Sequence, residues 1–121
     1  MHIEIYKGRP DVNAIVHAHN PYTLGLTLAG VKFEIVSAEG YVLTGGRIGY
    51  VPYAPPGSQD LAKLVSEKAM EGYKAIVMEN HGVIALAPTL LEAEAIVETL
   101  EEMAIATFIS KTLGVKPKPI K

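Results

Sequence analysis

Short apolar runs that stop at histidine set the tightest limit on how this chain can fold. Asn13-Ala-Ile-Val-His17-Ala-His19-Asn-Pro21 reads as a buried strand with two imidazoles, one residue apart, at its end. Successive strand side chains point to opposite faces, so His17 and His19 share a face, with Cα atoms roughly 6.5 Å apart. From there both rings can tilt onto one metal at about 2.0–2.1 Å per nitrogen. Pro21 has no ladder donor and ends or bends the strand where the ligands stand. A third imidazole, His81, follows the run Ala75-Ile-Val-Met78 and precedes Gly82, which lets backbone or ligand approach closely. The pattern points to a three-histidine metal site with an open coordination position. The competing reading, favoured by an isolated His-x-His, is of histidines satisfied by backbone hydrogen bonds. The remaining histidine, His2, reads as structural or exposed.

The bulk properties narrow the class of protein. At 121 residues the chain holds one domain, and a globule of this size buries roughly two-thirds of its unfolded surface. No apolar run approaches the ~20 residues needed to cross a bilayer. The start, Met-His-Ile-Glu-Ile-Tyr, lacks the basic and apolar stretches of a secretory leader, so a cytoplasmic location is expected. The chain has no cysteine, which leaves nitrogen and oxygen as metal ligands. A net charge of −2 argues against a nucleic-acid partner, since phosphate binding needs clustered positive charge.

Turn and cap residues divide the chain into elements. Met1–Lys7 reads as helical and Gly8-Arg-Pro10-Asp11 as a turn, followed by a strand over Val12–His19 and a short helix from Pro21 to Gly30. Strands are expected at Lys32–Ser37, Tyr41–Leu43 and Ile48–Pro52, with a turn at Thr44-Gly45-Gly46 that lacks the setting of a dinucleotide fingerprint. Ala54-Pro55-Pro56-Gly57 breaks the chain before Ser58, the N-cap of a helix to about Glu71 with Leu61, Leu64, Val65, Lys68 and Ala69 on one stripe. Strands over Lys74–Met78 and Gly82–Ala87 precede a last helix, Leu90–Leu113, capped by Thr89 with Glu92 three residues on. Its apolar face is Ala93, Ile96, Val97, Leu100, Met103, Ala104 and Phe108, and its glutamates read as a solvated face. The domain is placed at residues 1–114, with a basic, proline-broken tail at 115–121 that has no core to join. These elements predict an α/β fold with a sheet covered by helices.

Taken in order, Arg9-Pro10-Asp11, His17-x-His19, Pro52-Tyr53-x-x-x-Gly57-Ser58 and Asn80-His81-Gly82 resemble the class II aldolase/adducin-like family, especially its fuculose-phosphate aldolase branch. The resemblance runs over nearly the whole chain. It implies a three-layer αβα sandwich around a mostly antiparallel sheet, truncated here at the N-terminus. It further implies a Zn2+ ion, or another divalent metal, on His17, His19 and His81, and a homo-oligomer, usually a tetramer, with active sites between subunits. In such proteins an acid/base carboxylate lies a few residues before the histidine matching His2, a position that would fall before Met1. The loops that hold the substrate phosphate also belong to the preceding portion.

The resemblance implies a metal-dependent lyase that cleaves a phosphorylated ketose of the fuculose 1-phosphate type into dihydroxyacetone phosphate and an aldehyde. Neutral imidazoles leave the cation its full charge to act as a Lewis acid. A carboxylate that moves the proton adds on the order of 10²–10⁴ in rate, so its absence predicts metal binding with impaired turnover. Glu79, which shares strand parity with His81, is the one nearby candidate for a substitute. Asn80 serves the turn or orients the site, and Tyr22 and Tyr53 either line a sugar pocket or pack as ordinary aromatics. Competing functions are a pentulose-phosphate 4-epimerase or a methylthioribulose-phosphate dehydratase of the same family, and a non-catalytic adducin-like interaction domain.

Overall fold

Unbroken apolar runs, in which successive side chains point to opposite faces, dictate a sheet covered on both faces. A computed structural model, which describes residues 1–120, forms strands β1 (Ala14–Ala18), β2 (Gly49–Val51), β3 (Ala75–Met78) and β4 (Gly82–Ala87). Their order is β1-β4-β3-β2, with β4 antiparallel to both β1 and β3, and β2 parallel to β3. The sheet is therefore mostly antiparallel. Both central strands are buried along their whole length. Ala75, Val77, Val83 and Ala85 enter one core, and Ile76, Met78, Ile84 and Leu86 enter the other, following the two-residue period of a strand.

Five helices cover these faces: α1 (His2–Gly8), α2 (Pro21–Leu28), α3 (Ala38–Thr44), α4 (Gln59–Met70) and α5 (Leu90–Thr112). Ile5 of α1 and Leu61, Val65 and Ala69 of α4 fill the core of Ile76, Met78, Ile84 and Leu86. Ala93, Ile96, Leu100, Met103 and Ala104 of α5 fill the core of Ala75, Val77, Val83 and Ala85, with α2 and α3 contributing Leu26 and Leu43 at its margin. The result is a three-layer αβα sandwich. Ser58 Oγ accepts from Leu61 N–H at 3.1 Å and Thr89 Oγ1 from Glu92 N–H at 3.2 Å, so both predicted caps form. Arg9 gives the Arg-Pro-Asp turn its purpose. Its guanidinium is bidentate to Asp11 at 3.0 and 2.8 Å and donates to the Ala69 and Tyr73 carbonyls at 2.7 and 3.1 Å, tying the entry of β1 to the end of α4.

Four expectations need correction. Tyr41–Leu43 is helical rather than extended, because Ser37 Oγ accepts from Gly40 N–H at 3.0 Å and Gly45 ends the turn at φ 73°. Residues 32–36 form no strand. Phe33 is buried, but its N–H and carbonyl both bond the Tyr50 hydroxyl at 3.0 Å instead of a neighbouring strand. The tail does meet the body: Ile120 N–H donates to the Ile35 carbonyl at 2.7 Å, while Lys121 lies outside the described residues. Phe108 leaves the core face of α5, where Thr107 is buried instead, and its ring lies 5.7 Å from that of Tyr22. No helix among the described residues is long and apolar enough to cross a membrane.

Candidate metal centre

β1 carries His17 on the face opposite its core residues Ala14, Val16 and Ala18, and the chain then delivers His19 just past the strand end. His81 arrives from the bend between β3 and β4. That bend is tight: Met78 pairs with Gly82, and His81 N–H donates to the Met78 carbonyl at 3.1 Å. Asn80 takes a left-handed conformation there, φ 62°, which Asn tolerates better than most side chains. Gly82 is fixed by crowding, since a Cβ would overlap the Ala18 carbonyl oxygen and touch the His19 ring.

The three rings meet. Their centroids are 4.8 Å apart for His17 and His19, 5.0 Å for His17 and His81, and 5.2 Å for His19 and His81. One ligating nitrogen from each lies within 4.8 Å of the other two. The Val83 carbonyl sits 3.0 Å from His17 Nδ1 and can only accept, so the proton belongs on Nδ1 and the lone pair on Nε2. That Nε2 is 3.1 Å from Nε2 of His19, close to the ~3.3 Å separation of two nitrogens bound tetrahedrally at about 2.05 Å. His81 Nδ1 is buried with no hydrogen-bond partner, an orphan that a cation or a water would relieve. Burial, then the charges of His17 and His19, push the His81 pKa down and favour the neutral, ligating form. The donor set fits a divalent metal.

The other candidates lie elsewhere. Glu79 donates its N–H to the Val51 carbonyl at 3.0 Å, and its carboxylate faces Lys32 at 3.8 Å, outside the imidazole cluster. His2 also stays outside that cluster. Tyr53 is 56% exposed on the loop before α4, and the Tyr22 ring lies tilted at 36° beside that of Phe108.

Sequence reasoning missed the supports of the site. Glu101 of α5, expected to be solvated, caps α2: its carboxylate accepts from Tyr22 N–H at 2.9 Å and from Thr23 N–H and Oγ1 at 3.0 Å. A carboxylate at a helix N-terminus satisfies orphan donors and meets the positive end of the dipole. Asn20, placed to cap α2 itself, is buried and donates instead to the Val97 carbonyl at 3.0 Å. These contacts hold the backbone that follows His19 against α5. No local signal in the sequence reveals them, because the partners lie more than seventy positions apart.

The profile of the class II aldolase and adducin N-terminal domain family matches residues 1–107. The chain belongs to that family. It is 38% identical over 104 residues to the L-fuculose phosphate aldolase of Methanococcus vannielii, covering 86% of this chain and 55% of that one. A 3-oxo-tetronate 4-phosphate decarboxylase of Haemophilus influenzae is 36% identical over 107 residues, covering 85% and 50%. A solved L-fuculose 1-phosphate aldolase superposes with a TM-score of 0.85 at 33% identity, covering 99% of this chain and 55% of that one. The chain thus spans about half the length of the curated relatives it matches.

Proposed function

We propose that this chain is the metal-bearing part of a class II aldolase that cleaves a phosphorylated ketose of the fuculose 1-phosphate type. The observation that carries the reading is the convergence of His17, His19 and His81 in a family whose relatives include sugar-phosphate aldolases. The three imidazoles would hold a zinc ion, leaving a position open for substrate oxygens. The bound cation would supply Lewis-acid stabilisation of the negative charge that develops as the carbon–carbon bond breaks. His17 keeps its proton on Nδ1 by donating to Val83, which fixes the ligating tautomer.

No carboxylate among the described residues belongs to the imidazole cluster, and Glu79 is engaged with Lys32. The polypeptide 1–121 is therefore expected to bind metal while turning over slowly, the proton being left to water. A homo-oligomeric assembly, as a tetramer, accompanies this reading. The second reading is decarboxylation of a phosphorylated 3-oxo acid, supported by the Haemophilus influenzae relative. It places the same electrostatic demand on the site, since breaking a bond beside a carbonyl again leaves charge on oxygen.

The test is equilibrium binding of Zn2+ or Co2+ to the protein and its His17→Ala and His81→Ala variants, followed by assay of the loaded protein. Stoichiometric metal binding abolished by either variant, with residual cleavage of fuculose 1-phosphate, is the expected result. Absence of metal binding in a folded protein would overturn the reading, and release of carbon dioxide from 3-oxo-tetronate 4-phosphate without ketose cleavage would favour the second.

A further inference from the structure

We infer that Thr27 is a positioning residue whose hydroxyl ties the His81 bend to the helix following His19 and so helps to aim the third imidazole. The inference rests on the metal-site reading above. Thr27 stands in the last turn of α2, the helix that begins two residues after His19. Its Oγ1 donates to the Leu24 carbonyl at 2.8 Å, which orients the hydroxyl oxygen as an acceptor. That oxygen accepts from the backbone N–H of Asn80 at 3.1 Å, across 53 positions of sequence.

The location gives the bond its leverage. Asn80 immediately precedes His81 and holds the left-handed conformation on which the bend depends. On one side the bend is tied by His81 N–H to Met78, and on the other by Glu79 N–H to Val51. The Asn80 backbone N–H, between them, bonds only the threonine among the described residues. α2 is itself tied to α5, through Glu101 at its N-terminus and Asn20 on its approach. Thr27 therefore passes the rigidity of α5 through α2 to the peptide that aims His81. Both histidine-bearing segments are referred to one frame, and a metal site fails when its ligands are even modestly misplaced.

Thr27→Val keeps the shape and removes the acceptor, whereas Thr27→Ser keeps the acceptor and removes a methyl group. Two readouts separate the latch from the metal reading. The first is hydrogen exchange of the Asn80 amide in metal-free protein. Exchange at least tenfold faster in Thr27→Val, and near the wild-type rate in Thr27→Ser, is expected. The second is Co2+ affinity, followed by the visible absorption of the bound ion, expected to weaken about tenfold in Thr27→Val and to be restored in Thr27→Ser. Equal Asn80 protection in all three proteins overturns the latch, and so does equal loss in both variants, which would mark a packing effect. A latch intact by exchange with unchanged Co2+ affinity in Thr27→Val overturns its role in positioning His81. Wild-type protein that binds no Co2+ sinks the metal reading and, with it, the positioning role, while exchange still reports on the hydrogen bond.

Discussion

Asn80 and Gly82, on either side of His81, are each held to their residue type by a different physical cause. Asn80 occupies φ 62°, where a side chain lacking a compact polar group costs about 1–2 kcal/mol. Asn80→Gly should keep the stability and Asn80→Ala should lose about 1 kcal/mol, as measured by urea denaturation. Gly82 is a matter of space, not torsion, because its Cβ would enter the Ala18 carbonyl and the His19 ring. Gly82→Ala should therefore weaken metal binding more than ten times as well as lower stability, and equal Co2+ affinity in this variant would contradict the crowding. Asp11 offers a pH test. Its hydrogen bond from Arg9 holds the carboxyl below its ordinary range, so the contribution is present above that range and vanishes as acid protonates it. Asp11 is largely exposed, and the gain is under about 1 kcal/mol. Asp11→Asn should reduce stability at neutral pH and make little difference near pH 2, which denaturation at the two pH values would show.

Helix α2 illustrates how far an element's own sequence reaches. Pro21 at its start and Gly30 beyond its end made the helix readable, yet the group that caps it is contributed by α5. Glu101→Ala strips three acceptor contacts from a charged group and should cost about 2–3 kcal/mol, with Glu101→Gln retaining part of it. Thermal denaturation of the pair checks this. The strands β1, β3 and β4 and the helices α4 and α5 were legible because apolar period and caps agree locally. Residues 32–44 were not. Their β-rich composition suggested two strands, but the Ser37 cap starts a helix, and the Tyr50 hydroxyl takes the backbone groups that a ladder would have used. The histidines were readable as a set from their places at run ends, whereas Thr27, Glu101 and Asn20 acquire their roles only through contacts between distant segments.

For the molecule as a whole, a ligand that binds only the folded state adds to its stability. Zn2+ at a hundredfold excess over its Kd should stabilise the protein by about 2.7 kcal/mol, and chelation should remove the gain. His81→Ala should be insensitive to both, a contrast that thermal melts with zinc or chelator would read. Tyr22, Phe108, Ile109 and Leu113 are all at least 40% exposed along α2 and the end of α5, leaving apolar surface that association would cover. Sedimentation is expected to show an oligomer, and a monomer at micromolar concentration would contradict that.

The placement of β4 between β1 and β3 has a kinetic consequence. The β3–β4 hairpin can close within microseconds, but it delivers one imidazole alone. The other two arrive only when β1 docks on β4, pairing Ala18 with Val83 across most of the polypeptide and closing the slowest loop of the sheet. Capture of a coloured ion such as cobalt during refolding would then time the completion of the native topology and stay silent through every earlier step.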